Sequence, residues 1–248
     1  AECLPLERLY QATNGSAWTE DQSWMADYQP CTWNGVVCDN DHVVALDLAA
    51  NGLEGSIPPE LGYLSQLAWL VLNDNQLTGP IPTELAALSN LRSLHLTGNM
   101  LSGEIPAELA NLVNLQELGM GSNELTGGIP PEFGNLTNLE RLWLDHNALA
   151  GTIPPELGNL ANLQHLVLGQ NQLTGVIPPE LANAQNLQIL TLWVNQLEGG
   201  LPAQLMELGG LEVLALSENQ LSGTISSAIG NLTNLKELYL NHNEFTGE

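Results

Sequence analysis

Apolar residues fall on a 24-residue grid that runs from Val43 to the end of the chain. Successive blocks open at Val43, Leu67, Leu91, Leu115, Leu139, Leu163, Leu187, Leu211 and Leu235, with no insertion or deletion between them. The shared template reads LxxLxLxxNxLxGxIPxxLxxLxx. In the block that opens at Leu139, Leu142 and Leu144 alternate with Arg141, Trp143 and Asp145. That alternation turns the leucines into a core and the residues between them outward, as in a half-buried strand. The pattern therefore predicts one short strand per block, with successive strands parallel and about 4.8 Å apart. A single block cannot bury its own apolar face, so blocks stack as a solenoid with a shared core.

The polar places of the template carry their own information. The ninth place is Asn in every block, from Asn51 through Asn147 to Asn243. An amide there can bond turn backbone in its own block and in the next, forming a ladder. Leaving such buried groups unpaired costs about 1–3 kcal/mol each. The thirteenth place is Gly throughout, Gly55 to Gly247, which points to a positive φ or a close backbone approach. Ile-Pro pairs such as Ile153-Pro154 suit an irregular outer segment, because Pro fixes φ and donates no hydrogen bond. The Pro-Glu-Leu-Gly stretches that follow predict a single helical or 3₁₀ turn. In the block from Leu211, Ile225-Ser226-Ser227-Ala228-Ile229 replaces this pattern, and the array is expected to loosen there.

The Leu-x-Gly-x-Ile-Pro signature over residues 43–248 resembles the plant-specific class of leucine-rich repeats. That class occurs in plant receptor kinase ectodomains, in polygalacturonase-inhibiting proteins and in secreted proteins of algae and bacteria. Residues 1–42 resemble the N-terminal cap of the same class. Trp24 and the run Pro30-Cys31-Thr32-Trp33-Asn34-Gly35-Val36-Val37-Cys38-Asp39 carry that likeness. The stretch from Tyr10 to Trp18 is closer to algal and bacterial members. The resemblance implies an α/β solenoid, a right-handed superhelix with a parallel sheet on its concave face and short helical or 3₁₀ turns on its convex face. It implies two regions, a cap over 1–42 and a repeat array over 43–248 of eight complete blocks and a truncated ninth. It also implies a Cys31–Cys38 disulfide and hence an oxidising compartment. Cys3 is left open between a free thiol, an intermolecular bridge and an alternative partner. In the cap, a helix over Pro5 to Ala12 should turn Leu6, Leu9 and Tyr10 inward, and Trp18, Trp24 and Trp33 should plug the first coil.

Composition narrows the function. Four Lys and Arg face 28 Asp and Glu, a net charge of −24. That balance argues against nucleic acid and anionic membrane surfaces, which need basic patches. No apolar run is long enough to span a membrane. Ala1-Glu2-Cys3 is compatible with a mature terminus after signal cleavage. Glu60, Glu84, Glu108, Glu132, Glu156 and Glu180 recur at one place of the block. They read either as a cation stripe or, more simply, as acidic residues suited to the start of a helical turn. Asn14, Asn135 and Asn231 begin N-x-S/T sequons, which matter only in a eukaryotic secretory pathway. The chain stops at Glu248 inside the ninth block, leaving Leu238, Leu240 and Phe245 as an open last layer. A fragment of a longer protein is the simpler reading, with self-association through that end as the other.

Motifs for phosphate loops, zinc hydrolysis and nucleophile elbows are lacking. No catalytic residue, metal site or cofactor is therefore expected. The variable outward places hold Trp69, Trp143, Trp193 and Tyr239, and seven of the nine Lys, Arg and His residues, among them Arg92, His95, Arg141, His146, His165, Lys236 and His242. Exposed aromatic rings together with Arg mark binding surfaces. Arg141, Trp143, His146, His165 and Trp193 are expected to build a shallow groove on the concave face, with Trp69, His95 and Tyr239 as further ligand contacts. Gly119, Gly121 and Gly169 should leave room beside Trp143. The reading is a secreted or surface-displayed, non-catalytic module that binds a protein, peptide or glycan. The alternatives are an adhesive or structural spacer, an inhibitor, and an ice-binding protein. The last would use a hydroxyl column of Thr78, Ser102, Thr126, Thr174 and Ser222, interrupted at Glu54, Ala150 and Glu198.

Overall fold

The structure, a computed structural model, describes residues 2–26 and 29–247. Ala1 and Glu248, which figure in the reading of the two termini, lie outside that set. The chain divides into two compact units, Ala1–Leu125 and Thr126–Glu248. The fold class is the α/β solenoid that the resemblance implies, stacked on the 24-residue period.

The first unit opens with the helix Cys3–Ala12, which starts two residues before the predicted Pro5. Leu6 and Leu9 are fully buried, and Tyr10 packs against Trp18 and Trp24 at centroid distances of 5.3 and 6.1 Å. Trp18, Trp24 and Trp33 are all buried. Trp18 donates to the Thr13 carbonyl and Trp24 to that of Asn34. Cys31 and Cys38 form the disulfide that the resemblance implied, while Cys3 is a half-buried thiol at the head of the helix. Strand Val36–Asp39 pairs antiparallel with His42–Asp47. Parallel strands Trp69–Val71, Ser93–His95 and Glu117–Gly119 then follow at a 24-residue step, Ala45 beside Trp69 and Trp69 beside Ser93.

The second unit repeats this without a cap. Its inner strands are Arg141–Trp143, His165–Val167, Ile189–Thr191, Val213–Ala215 and Glu237–Tyr239, all parallel and in one register. Leu139, Leu142, Leu144, Leu149, Leu157 and Leu160 of a single block are fully buried. Each such side chain contributes on the order of 2 kcal/mol from apolar area removed from water. Pro155–Asn159 and its equivalents form the 3₁₀ turns expected of the Pro-Glu-Leu-Gly stretches. The irregular block keeps its turn but loses its packing. Turn Ser227–Asn231 forms, with Ser226 accepting the Ala228 N–H, yet it buries no residue, and Ile225 is 40% exposed where Ile153 is 1% exposed.

Three features correct the sequence reading. Each block contributes two strands, not one. A second row runs Ala150–Thr152, Gln172–Gly175, Gln196–Gly199, Gln220–Thr224 and Glu244–Thr246. Its register is offset by two residues, so Thr174 lies beside Thr152 and not beside Ala150. The asparagine ladder runs backwards. Asn171 donates to Leu168 and Gly169 in its own block and to Leu144 in the preceding one, and accepts from the Leu149 N–H at 3.0 Å. At the cap the ladder stops, and the buried Nδ2 of Asn51 has no hydrogen-bond partner among the described residues. Finally, the eighth place, which holds His146 and His242 of the outward set, lies in a turn beyond the strand. His146, Gln170, Val194, Glu218 and His242 all have φ between 51 and 57°, the left-handed region. A β-branched residue such as Val194 enters it at a cost of about 1–2 kcal/mol. The inter-block bonds continue there, Val194 N–H to Ser217 carbonyl at 2.9 Å, and hold it in place.

The thirteenth-place glycines all have positive φ. At Gly151 that is the only constraint, since an added Cβ would meet nothing within 4 Å. At Gly55 a Cβ would also stand 2.1 Å from the Ala12 carbonyl, so this glycine is what lets the helix dock. A second asparagine ladder, unforeseen, crosses the exposed surface. Asn90, Asn114, Asn162, Asn186 and Asn234 each donate to a carbonyl 25 residues earlier.

Candidate ligand-binding face

The inner sheet of the second unit leaves one face open. Register places Trp143, Val167, Thr191, Ala215 and Tyr239 side by side in one row, and Arg141, His165, Ile189, Val213 and Glu237 in the next. Each row follows from the 24-residue step, because outward places of successive strands must adjoin. The middle of both rows is mainly apolar, Val167, Ile189, Val213 and Ala215, with Thr191 between Val167 and Ala215. Aromatic rings stand around it. Trp143 meets His165 edge-on at 6.2 Å, and Trp193 meets His146 edge-on at 5.6 Å.

Four of the five residues expected to line one groove thus form two ring pairs, and the fifth, Arg141, lies beside Glu140. The expected opening at Gly169 is filled. The indole of Trp193 folds back over that glycine, leaving 2.3 Å between Nε1 and the place of a Cβ. Gly119 and Gly121 are buried as well. His146 sits in the left-handed turn beyond the strand, not on it.

The open space lies further along. A hollow of about 360 Å³ is lined by Trp193, Ala215, Ser217, Glu218, Tyr239 and Asn241. Ala215 is 8% exposed and forms its floor; Tyr239 is 47% exposed. The Tyr239 hydroxyl donates to Glu237 at 3.2 Å, and that bond together with the negative charge of Glu237 raises the phenol pKa. Ser217 donates to Asn241 Oδ1 at 2.9 Å. On the same face, the Oγ1 atom of Thr191 is buried with no hydrogen-bond partner among the described residues. Trp193 and Tyr239 were legible as site residues from their outward places. Ala215, Ser217, Glu218 and Asn241 were not, although a small residue between two aromatic neighbours could have marked the spot.

The cations are not a bare positive patch. His146 Nδ1 lies 2.8 Å from Asp145, Lys236 Nζ 2.8 Å from Glu212, and Arg141 3.8 Å from Glu140. On the first unit His95 lies 3.1 Å from Glu117. Each basic side chain named here stands against a carboxylate; the Lys236 and Arg141 pairs are part-exposed, so each contributes at most about 1 kcal/mol. Also on the first unit, Trp69 is 46% exposed and borders a hollow with Arg92, Asp39 and Ala68. Among the described residues no group of three or more His, Cys, Asp or Glu is placed to hold a metal ion. Glu132, Glu156 and Glu180 are exposed first-turn residues. No helix among the described residues is long and apolar enough to cross a membrane.

Comparison with known proteins follows the same geometry. Leucine-rich repeat profiles match residues 41–101 and 185–245, and a second such profile matches 114–136, 138–160 and 162–184. The chain is 48% identical over 50 residues, 19% of its length, to the LRR receptor-like serine/threonine-protein kinase FEI 2 of Arabidopsis thaliana, and covers 8% of that protein. It superposes on the LRR ectodomain of the Arabidopsis thaliana membrane receptor kinase GASSHO1/SCHENGEN3, in complex with CASPARIAN STRIP INTEGRITY FACTOR 2. There the TM-score is 0.95 and the identity 42%, over 100% of this chain and 30% of that one. The Arabidopsis HAESA ectodomain, in complex with an N-terminally extended IDA peptide hormone, gives a TM-score of 0.87 at 35% identity, over 100% of this chain and 42% of that one. A plant ice-binding protein gives 0.86 at 33% identity, over 98% of this chain and 79% of that one. The chain therefore spans less than half of the GASSHO1/SCHENGEN3 and HAESA chains.

Proposed function

Since the chain belongs to the leucine-rich-repeat family, we propose that it is a non-catalytic recognition module, exposed outside the cell, that holds a peptide along the open face of its inner sheet. The observation that carries this reading is the apolar strip of Val167, Ile189, Val213 and Ala215, walled by Trp143, Trp193 and Tyr239, on a protein of net charge −24. Exposed aromatic and apolar surface of that kind is costly unless it binds something. A parallel sheet with registered rows also suits an extended chain, whose side chains can address successive strands. The solved GASSHO1/SCHENGEN3 and HAESA ectodomains, each in complex with its ligand, support the same role. Arg141, His146 and His165 flank the strip. Trp69 and His95 are proposed as contacts on the first unit. We keep residues 1–42 as a cap and 43–248 as the binding array.

The test is selection of peptides from a random display library on the immobilised chain. Trp193→Ala and Tyr239→Ala should each weaken the selected peptides by about 2 kcal/mol. Glu156→Ala, on the outer turn, should leave binding unchanged. Peptides that ignore both aromatic changes would sink the reading.

One observation favours a second reading, the likeness to a plant ice-binding protein. Hydroxyls do pair in the outer row, Ser56 with Thr78, Thr152 with Thr174 and Thr224 with Thr246. The runs are short, since Thr78 next meets Met100 and Thr174 next meets Gln196. Thermal hysteresis of the purified chain decides between the two.

A further inference from the structure

The hollow between Trp193 and Tyr239 is bordered by a carboxylate, Glu218, that no basic side chain meets among the described residues. Lys236 is taken up by Glu212, His146 by Asp145, and Arg141 lies beside Glu140. Glu237 accepts the Tyr239 hydroxyl. Glu218 lines the hollow and makes no side-chain hydrogen bond or ion pair among the described residues. Beside it Ser217 donates to Asn241 Oδ1, which leaves the Asn241 amide N–H₂ as a donor. What the hollow offers a visitor is therefore an apolar floor at Ala215, two aromatic walls, an amide donor and one negative charge.

We infer that this hollow is a subsite for a single lysine or arginine side chain of the bound segment, an inference that rests on the sheet face being the ligand-binding face. The chemistry is selective on three counts. Aromatic faces attract a cation and offer nothing comparable to an anion. The stem of a Lys or Arg side chain is apolar and would cover Ala215 and the rings while its head reaches Glu218 at the rim. The bond from Tyr239 to the Glu237 carboxylate draws the phenol proton outward and leaves the ring face richer in electrons. A purely apolar side chain would fill the floor but leave Glu218 uncompensated, and an acidic one would meet it as a like charge. The net charge of −24 adds long-range attraction for basic segments.

The experiment uses the whole chain with nitrogen-15-labelled tryptophan, the Trp193 indole signal being assigned with Trp193→Phe. The probes are the Nα-acetyl amides of lysine, arginine, norleucine and glutamate, and methyl β-glucoside. The lysine and arginine probes should shift the Trp193 signal saturably, about tenfold more tightly than norleucine or glutamate. Glu218→Gln should remove most of that preference and leave norleucine unaffected, and added salt should weaken only the basic probes. Equal affinity for lysine and norleucine, with no effect of Glu218→Gln, would overturn the inference in favour of an apolar subsite. Saturation by the glucoside alone would overturn it in favour of a sugar, and no saturable shift from any probe would also sink it. Failure of the wider reading looks different. Selected peptides that depend on Trp193 and Tyr239 but show no basic residue and ignore Glu218→Gln refute only the cation subsite. Peptides indifferent to both rings refute the sheet face itself.

Discussion

The indole of Trp193 rests on the bare Cα of Gly169, with Nε1 2.3 Å from the point where a Cβ would stand. One block's glycine thus makes the bed for another block's tryptophan. Because Gly169 has no positive φ, alanine is allowed by the backbone and excluded only by the ring. Gly169→Ala should therefore lift Trp193 off the sheet and break its contact with His146. Fluorescence should shift to the red and peptide affinity should fall, at a stability cost under about 1 kcal/mol. An unchanged emission spectrum would show that the ring does not rest there.

The two asparagine ladders should differ in strength. Asn171 is buried and serves three carbonyls and one N–H, whereas Asn186 is exposed and makes one bond to Ala161. Asn171→Ala should cost about 3 kcal/mol and Asn186→Ala about 0.5–1 kcal/mol, read from denaturant midpoints. Similar midpoints would contradict the role given to the buried row.

Reduction of Cys31–Cys38 should act locally. The loop it closes is short, a sequence separation of 7, so the chain-entropy contribution is about 2 kcal/mol. Contacts in a repeat array run between neighbours, so amide exchange should quicken around Trp24 and Trp33 before it quickens around Leu142. Uniform quickening along the chain would count against this.

Tyr239 should ionise late. Its phenol is held up by the hydrogen bond and charge of Glu237, so the contact is intact below the ordinary phenol range and is lost as pH rises through the raised pKa. In an ultraviolet titration one of the four tyrosines should lag, and Glu237→Gln should bring it down. A curve unaltered by that change would remove Glu237 as the cause.

Thr191 carries a buried hydroxyl with no partner among the described residues. Thr191→Val keeps the shape and the strand preference while deleting the unpaired group, and should stabilise the chain by about 1 kcal/mol. If melting falls instead, the hydroxyl is engaged after all.

What was legible in the sequence was whatever every block needs in common. Leu142, Asn147 and Gly151 could be read because the same demand recurs at each step, so composition at a place reports its environment. The left-handed turn at the eighth place escaped because its occupants share no chemistry: Gln170, Val194, Glu218 and His242 reach it through bonds from the neighbouring block, not through their own preference. The pairing of Lys236 with Glu212 escaped for a related reason, since the partners are 24 residues apart and adjoin only once the register is known. The direction of a long side chain is harder still. Trp193 could be assigned to an outward place, but nothing in its neighbours along the chain says that its ring turns back over Gly169.

The backward reach of the asparagine ladder bears on how such an array changes length over generations. The Asn171 side chain closes its own block and the one before it, while its backbone N–H donates to the Val194 carbonyl of the block after. Duplication or loss of one whole 24-residue module by unequal recombination would therefore hand every asparagine an equivalent set of carbonyls. A single-codon insertion inside a module would misplace an amide and the carbonyls it serves at once. Array length is free to drift in whole modules and is held rigid against anything smaller, which accounts for the absence of even one insertion between Val43 and Leu235.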